Sequence, residues 1–361
     1  MIYHAEAVFN GHPDKFCDQV ADRIIAEAYR SDPEAYGQVE VGVWSDSIWL
    51  SGGTMTRRPL ACSVEELVHQ VGFDIGYAGD NHINVAKYRI ANEICLNVGD
   101  PTPWTHKVND QSIVIGWAGY NERTHFLPPE QFLVHTLRQQ IVAAFSAGAP
   151  LAGQGPDGKL LVRLREEGGH WILEHVLVTL QQHETARLLE LGTALTGVLQ
   201  AAYESLQVAD SRWSRDWDQV ELLINPNGPL LNGGSDGDNG QTGRKLVMDY
   251  YGPRIPLGGG ALSGKDLSHI DRAGAYAARQ AAVLAVSTGA ASCMITLAYA
   301  PNSNEPLDVT YQMTGRGQRM PPSAFSHSAI RERLAGVHEI AKLGMGTHFF
   351  DRAWLWNQPP T

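Results

Sequence analysis

The chain is 361 residues long, 43% hydrophobic, and carries 28 Lys and Arg against 39 Asp and Glu, for a net charge of −11. So apolar a chain excludes disorder as its main state, and the acidic balance excludes a general nucleic-acid binder, which needs a surplus of cations. Its 37 glycines exceed the ~7% of an ordinary protein, and no apolar run approaches the ~18–20 residues of a membrane span. Cys17, Cys62, Cys95 and Cys293 are widely spread with no C-x-x-C pair, and read as reduced thiols of a cytoplasmic protein. Met1 to Asn10 lacks the basic flank and apolar run of a signal peptide.

In chain order, Phe16, Val20, Ile24, Ile25 and Ala28 share one helical face, which predicts a helix over 16–28 entered at Pro13. Val39, Val41 and Val43 alternate with polar or small residues as a half-buried strand. Ser45-Asp46-Ser47 turns it back through Ile48–Leu50 toward Gly52-Gly53. A second hairpin is predicted at 160–164 and 171–180, a long helix at 184–206, and a short strand at 220–224. An Ala-rich helix at 271–287 precedes a strand pair at 293–299 and 307–313. Helices and hairpins mix without strict strand–helix alternation, so the expected class is α+β with mostly antiparallel sheets backed by helices. Loops 99–108 and 146–158 are expected to be mobile.

The glycines concentrate at 228–243 and 258–264, and each segment runs into cations: Arg244-Lys245 after the first, Lys265 after the second. Bare backbone N–H groups ending in cations suit a polyphosphate, although glycine runs also make ordinary turns. The second segment has the spacing of a P-loop at Gly259, Gly264 and Lys265, but Asp266 stands where Ser or Thr should hold Mg²⁺, and that reading is rejected. His12-Pro13-Asp14-Lys15 opens a helix and offers an imidazole, a carboxylate and an ammonium to an anion with Mg²⁺; it also reads as a plain N-cap. Asp271 has the same two readings, and Asp110 is a further ligand or a turn residue. These residues point to a Mg²⁺-dependent enzyme handling a nucleoside polyphosphate.

The same residues resemble the S-adenosylmethionine synthetase (methionine adenosyltransferase) family. Gly11-His12-Pro13-Asp14-Lys15, Asp110-Gln111, Ile224-Asn225-Pro226, Gly237-Asp238, Thr242-Gly243-Arg244-Lys245, Gly258-Gly259-Gly260-Ala261, Ser263-Gly264-Lys265-Asp266 and Asp271-Arg272 follow its signatures in order. The resemblance implies three similar α+β domains with pseudo-threefold symmetry, divided as 1–10 with about 110–220, about 11–109, and about 221–361. It implies a homodimer or dimer of dimers with active sites between subunits. It also implies a reaction: a nucleophile attacks C5′ of ATP, the triphosphate leaves, and the same site hydrolyses it to pyrophosphate and phosphate. Carried over, His12, Lys15, Arg244, Lys245 and Lys265 would hold the triphosphate, and Asp14 and Asp271 would bind Mg²⁺. Lys159 and Asp157 would reach the nucleotide, Asp110 would lie in the central pocket, and Asp238 would meet the amino end of the acceptor. Glu40 matches the glutamate that binds K⁺. The partners so implied are ATP and a small amino-acid-like acceptor, with no nucleic acid and no membrane.

The departures gather at the acceptor and adenine ends. Thr54 stands for a glutamate, Asn97-Val98-Gly99 for a stretch containing a glutamine, and His269 for a lysine. Leu230 replaces the aromatic that stacks on adenine, and Pro229 an arginine. Three readings follow: synthesis of S-adenosylmethionine with rearranged contacts, a paralogue that adenosylates another nucleophile or a methionine analogue, or a non-catalytic regulatory homologue.

Overall fold

A computed structural model describes residues 1–79 and 81–360. The elements are β1 (Ile2–Val8), α1 (Pro13–Ser31), β2 (Tyr36–Trp44), β3 (Ser47–Thr56), α2 (Val64–Ile75), β4 (Arg89–Val98), α3 (Thr102–Thr105), β5 (Ser112–Gly119), α4 (Pro129–Ala143), β6 (Gly158–Glu167), β7 (His170–Leu180), α5 (Leu188–Ala209), β8 (Glu221–Ile224), β9 (Gly240–Gln241), α6 (Leu246–Asp249), α7 (Ile270–Ser287), β10 (Ser292–Tyr299), β11 (Asp308–Thr314) and α8 (His327–Leu334).

They form three sheets, ordered β1-β6-β7-β8, β4-β3-β2-β9 and β11-β10-β5. Most pairings are antiparallel; β3 with β4 and β7 with β8 are parallel. Each sheet is covered by one helix that carries a second beside it: α1 with α2 on the β2 sheet, α4 on the β1 sheet with α5 packed against it, and α7 on the β5 sheet with α8 packed against it. The chain passes between the units cyclically. β1 leads to α1 on the next sheet, β5 to α4 on the β1 sheet, and β9 to α7 on the β5 sheet. Helices α1, α4 and α7 are each followed by a hairpin of the sheet they cover: β2–β3, β6–β7 and β10–β11. This is the expected α+β fold with pseudo-threefold symmetry. The second residue of α1, α4 and α7 is acidic and buried in each case: Asp14, Glu130 and Asp271. An acid there complements the positive helix end.

The three predicted hairpins and helices α1, α5 and α7 form, with ends shifted by a few residues. Three strands lie outside the sheets that the expected domain limits assign them, the first being β9, which falls within 221–361 but pairs with β2. β5 falls within 110–220 but pairs with β10, and β8 lies beyond 220 but pairs with β7. All three are placed by long-range pairing, which local hydropathy does not carry. Within the stretch 99–108, α3 forms, Asp100 is bound by Arg57 at 3.0 Å, and His106 sits 2.8 Å from Glu34. The four cysteines are unpaired. Among the described residues, no helix is long and apolar enough to cross a membrane.

Candidate active site

The glycine segments lie against the N-termini of two helices. A Cβ on Gly240 would come within 2.4 Å of the Pro13 carbonyl at the start of α1, and one on Gly260 within 2.2 Å of the Asp271 carboxyl at the start of α7. Only glycine lets the backbone approach so closely. Gly240 and Gly260 thus let the two segments close on the two helix N-termini.

At α1, His12 is the N-cap, and its Nδ1 accepts the amide hydrogen of Asp14 at 3.2 Å. An amide N–H only donates, so the neutral ring carries its own hydrogen on Nε2. That buried Nε2 has no partner among the described residues. Burial pushes the His12 pKa down to about 3, with Lys245 adding to burial and Asp14 opposing it. Asp14 accepts the Gln241 amide at 2.8 Å on one oxygen and Lys245 Nζ on the other, with Arg244 Nε 3.6 Å away. Lys15 is buried between Asp18, at 2.8 Å, and Asp249, at 2.5 Å. Burial works against its charge, but the two carboxylates outweigh it and hold the ammonium above the ordinary lysine range.

At α7 the arrangement repeats. His269 is the N-cap, and its Nδ1 accepts the Asp271 amide at 3.3 Å, which again puts the ring hydrogen on Nε2. Burial, then Lys265, lowers the His269 pKa. Asp271 accepts Lys265 Nζ at 2.6 Å and the Ser112 hydroxyl at 2.5 Å. Burial raises its carboxyl, but Lys265 and Ser112 outweigh that, and the net shift is downward. The start of α7 is tied to the middle of α1 by a buried ion pair: Arg272 Nη1 lies 2.7 Å from Asp22 Oδ1, and Asp22 also accepts the Gly264 amide at 2.9 Å.

A third group meets at Asp157, whose oxygens accept the amides of Gly158 at 2.6 Å and Gly234 at 2.7 Å. Burial pushes its carboxyl up to about 6, against the pull of the two amides and Lys159. Lys159 and Asp238 act electrostatically on Asp157, and Lys159 also acts on His12, so this group adjoins the α1 start. Asp110 is exposed and lies within electrostatic reach of His269. Glu40 is half-buried, its carboxyl raised by burial and lowered by Lys265. Leu230 bridges to Gln181, and its carbonyl accepts the Gln182 amide at 2.9 Å. Thr54 is set apart: it is buried on the helix-facing side of β3, where its methyl and Ile25 border Gly37. Asp249, Ser112 and Gln241 are site residues that motif spacing missed, because their partners are distant in sequence.

The donor set fits a nucleotide-borne Mg²⁺. Among the described residues no three His, Cys, Asp or Glu form a metal cage. Mg²⁺ on a nucleotide needs only one or two carboxylates beside the phosphate oxygens. Asp14 and Asp271 offer that, each now satisfied by a lysine that a bound phosphate would draw away.

The profile of the S-adenosylmethionine synthetase N-terminal domain matches residues 1–97, and that of the C-terminal domain matches residues 232–346. The S-adenosylmethionine synthase of Rhodospirillum centenum is 31% identical over 325 residues, covering 88% of this chain and 81% of that protein. The chain belongs to the S-adenosylmethionine synthetase family. The synthase of Acidiphilium cryptum is 32% identical over 356 residues, covering 96% of this chain and 87% of its own. That of Acholeplasma laidlawii is 31% identical over 351 residues, covering 92% and 86%. S-adenosylmethionine synthetases are metal-using transferases that form S-adenosylmethionine from ATP and methionine. The two matched stretches carry both helix starts of the candidate site.

Proposed function

We propose that this chain transfers the adenosyl group of ATP to the sulfur of L-methionine and releases the triphosphate as pyrophosphate and phosphate. The observation that carries this reading is the paired array of cations, buried carboxylates and Nε2–H imidazoles at the starts of α1 and α7. The sulfur lone pair attacks C5′, the C5′–O bond breaks, and its electron pair leaves with the triphosphate. A thioether has no proton to lose, so no general base is required. Catalysis then rests on alignment and on stabilising the expelled charge.

Lys245, Arg244, Lys265 and Lys159 neutralise the leaving triphosphate, and His12 donates Nε2–H to one of its oxygens. Lys15, tied to Asp18 and Asp249, sets the local potential and keeps its third N–H for a phosphate oxygen. Asp14 and Asp271 would hold Mg²⁺, which when bound withdraws charge from the phosphate oxygens. Asp157 and Asp110 face the nucleoside, Asp238 meets the amino group of methionine, and Glu40 binds K⁺. His269 and Leu230, at two of the positions where the chain departs from the family pattern, shape the acceptor and adenine ends, while Thr54, turned toward α1, supports them only through the core.

The active form in this reading is a homodimer or a dimer of such dimers. It is supported by two tryptophans, Trp44 and Trp49, each 52% exposed, on β2 and β3. They lie on the sheet face opposite Val41, Val43, Ile48 and Leu50, which α1 and α2 cover. Mass spectrometry of a reaction with ATP, L-methionine, Mg²⁺ and K⁺ tests the activity. S-adenosylmethionine is the expected product, and an adenosylated product with another acceptor but not with methionine overturns the assignment.

A further inference from the structure

Arg272 is fully buried and spends its donors on three partners. Nη1 donates to Asp22 Oδ1 and to the Lys265 carbonyl, both at 2.7 Å, Nη2 donates to Asp22 Oδ2 at 3.1 Å, and Nε donates to the Tyr276 hydroxyl at 3.0 Å. Asp22 in turn accepts the Gly264 amide, so one ion pair grips both sides of the Gly264–Lys265 peptide. Gly264 has φ +81° and a Cβ there would sit 2.2 Å from the Val39 carbonyl, so only glycine brings this peptide so close to β2.

The grip extends to the C-terminal segment. The Tyr276 hydroxyl lies 2.8 Å from His348 Nδ1. Arg272 Nε–H can only donate, so the tyrosine oxygen accepts from it, which leaves the tyrosine hydrogen free to go to Nδ1 of a neutral His348. His348 is anchored through its carbonyl by Trp356 Nε1 at 2.6 Å and Asn357 Nδ2 at 3.0 Å. Trp356 also stacks on the Tyr276 ring, with centroids 3.9 Å apart and planes 3° from parallel. A continuous line of directed hydrogen bonds therefore runs from residues 348–357 through His348, Tyr276 and Arg272 to the backbone of Lys265.

We propose that Tyr276 and His348 are positioning residues: together they orient Arg272, which fixes the Gly264–Lys265 peptide and aims the Lys265 ammonium at the leaving triphosphate. The proposal rests on the function given above. A hydrogen-bonded line of buried groups transmits orientation because each unmade bond costs free energy that bulk solvent does not return. Loosening it at Tyr276 lets Lys265 sample positions away from the triphosphate, which lowers the rate of the chemical step without altering how methionine binds.

The test is Tyr276→Phe in the full chain, which keeps the ring on Trp356 and removes only the hydroxyl. The expected result is a loss of about tenfold in kcat at unchanged KM for methionine, with faster amide exchange across residues 264–266. His348→Gln, whose amide oxygen can still accept from Tyr276, keeps most of the rate, whereas His348→Leu repeats the Tyr276→Phe loss. A purely structural role would lower the melting temperature of these variants and leave kcat per folded enzyme unchanged, which overturns the proposal. Should the unaltered protein form no adenosyl product, the function above fails by itself. Amide exchange still decides the positioning role: faster exchange at 264–266 in Tyr276→Phe supports it, and unchanged exchange overturns it.

Discussion

His12 and His269 hold the same place relative to their helices: each Nδ1 accepts the amide of the aspartate two residues on, at 3.2 Å for Asp14 and 3.3 Å for Asp271. Each ring therefore has two separable roles, a cap through Nδ1 and a donor through Nε2. Asparagine keeps the first and loses the second. His12→Asn is expected to change stability little but to lower kcat by about 10²–10³, as loss of one preorganised donor does. His12→Ala is expected to lose the same activity and about 1 kcal/mol of stability besides. Thermal melts run beside kinetics separate the two roles, and an active His12→Asn protein would refute the donor.

Lys265 is the cation common to the second glycine segment and the α7 start. Lys265→Met is expected to reduce turnover by at least about 10², because it removes charge stabilisation that grows as the triphosphate departs. It also leaves Asp271 with the Ser112 hydroxyl alone as side-chain partner. The comparison to make is single-turnover adenosyl transfer, and a rate within threefold of the unaltered protein contradicts the assignment.

The Asp22–Arg272 pair is fully buried on both sides. Removing one member of such a pair leaves an uncompensated charge, so Asp22→Ala is expected to destabilise by about 3–5 kcal/mol. Denaturant melts measure it. A loss under 1 kcal/mol would mean that water reaches Arg272.

Asp157 gives a pH dependence with a defined sign. Burial raises its carboxyl from the ordinary 3.8 to about 6. A group whose folded pKa is raised stabilises fully below the unfolded value and loses that stability as pH rises through the folded one. From pH 4 to pH 7 the stability of the protein relative to Asp157→Asn is therefore expected to fall, by up to ~3 kcal/mol. Melts of both proteins across that window check it, and a rising difference would contradict the burial of Asp157.

Much of this architecture is legible in the sequence, and the rest is hidden for identifiable reasons. The alternation of Val39, Val41 and Val43 shows β2, and the Ala-rich run shows α7, because both patterns are local. β1 is not legible: it pairs with β6, so that Ala5 faces Val162 across a connection no local pattern encodes. β4 lies parallel to β3, and β5 joins β10, for the same reason. At the site, the motif residues His12, Asp14, Lys245, Lys265 and Asp271 can be read from spacing, but their pairing cannot. That Lys245 rests on Asp14 while Lys15 rests on Asp18 and Asp249 depends on how α6 folds back on α1. Thr54 shows the limit most plainly, since its place in a signature gave no hint that the phase of β3 turns it into the core.

The central claim is that the whole triphosphate leaves C5′ in favour of methionine sulfur. Phosphorus NMR of the protein with ATP, L-methionine, Mg²⁺ and K⁺ tests it directly. Consumption of ATP with equal appearance of pyrophosphate and phosphate, and with no ADP or AMP, is the predicted result. Formation of ADP or AMP, or ATP left intact beside methionine, would contradict it.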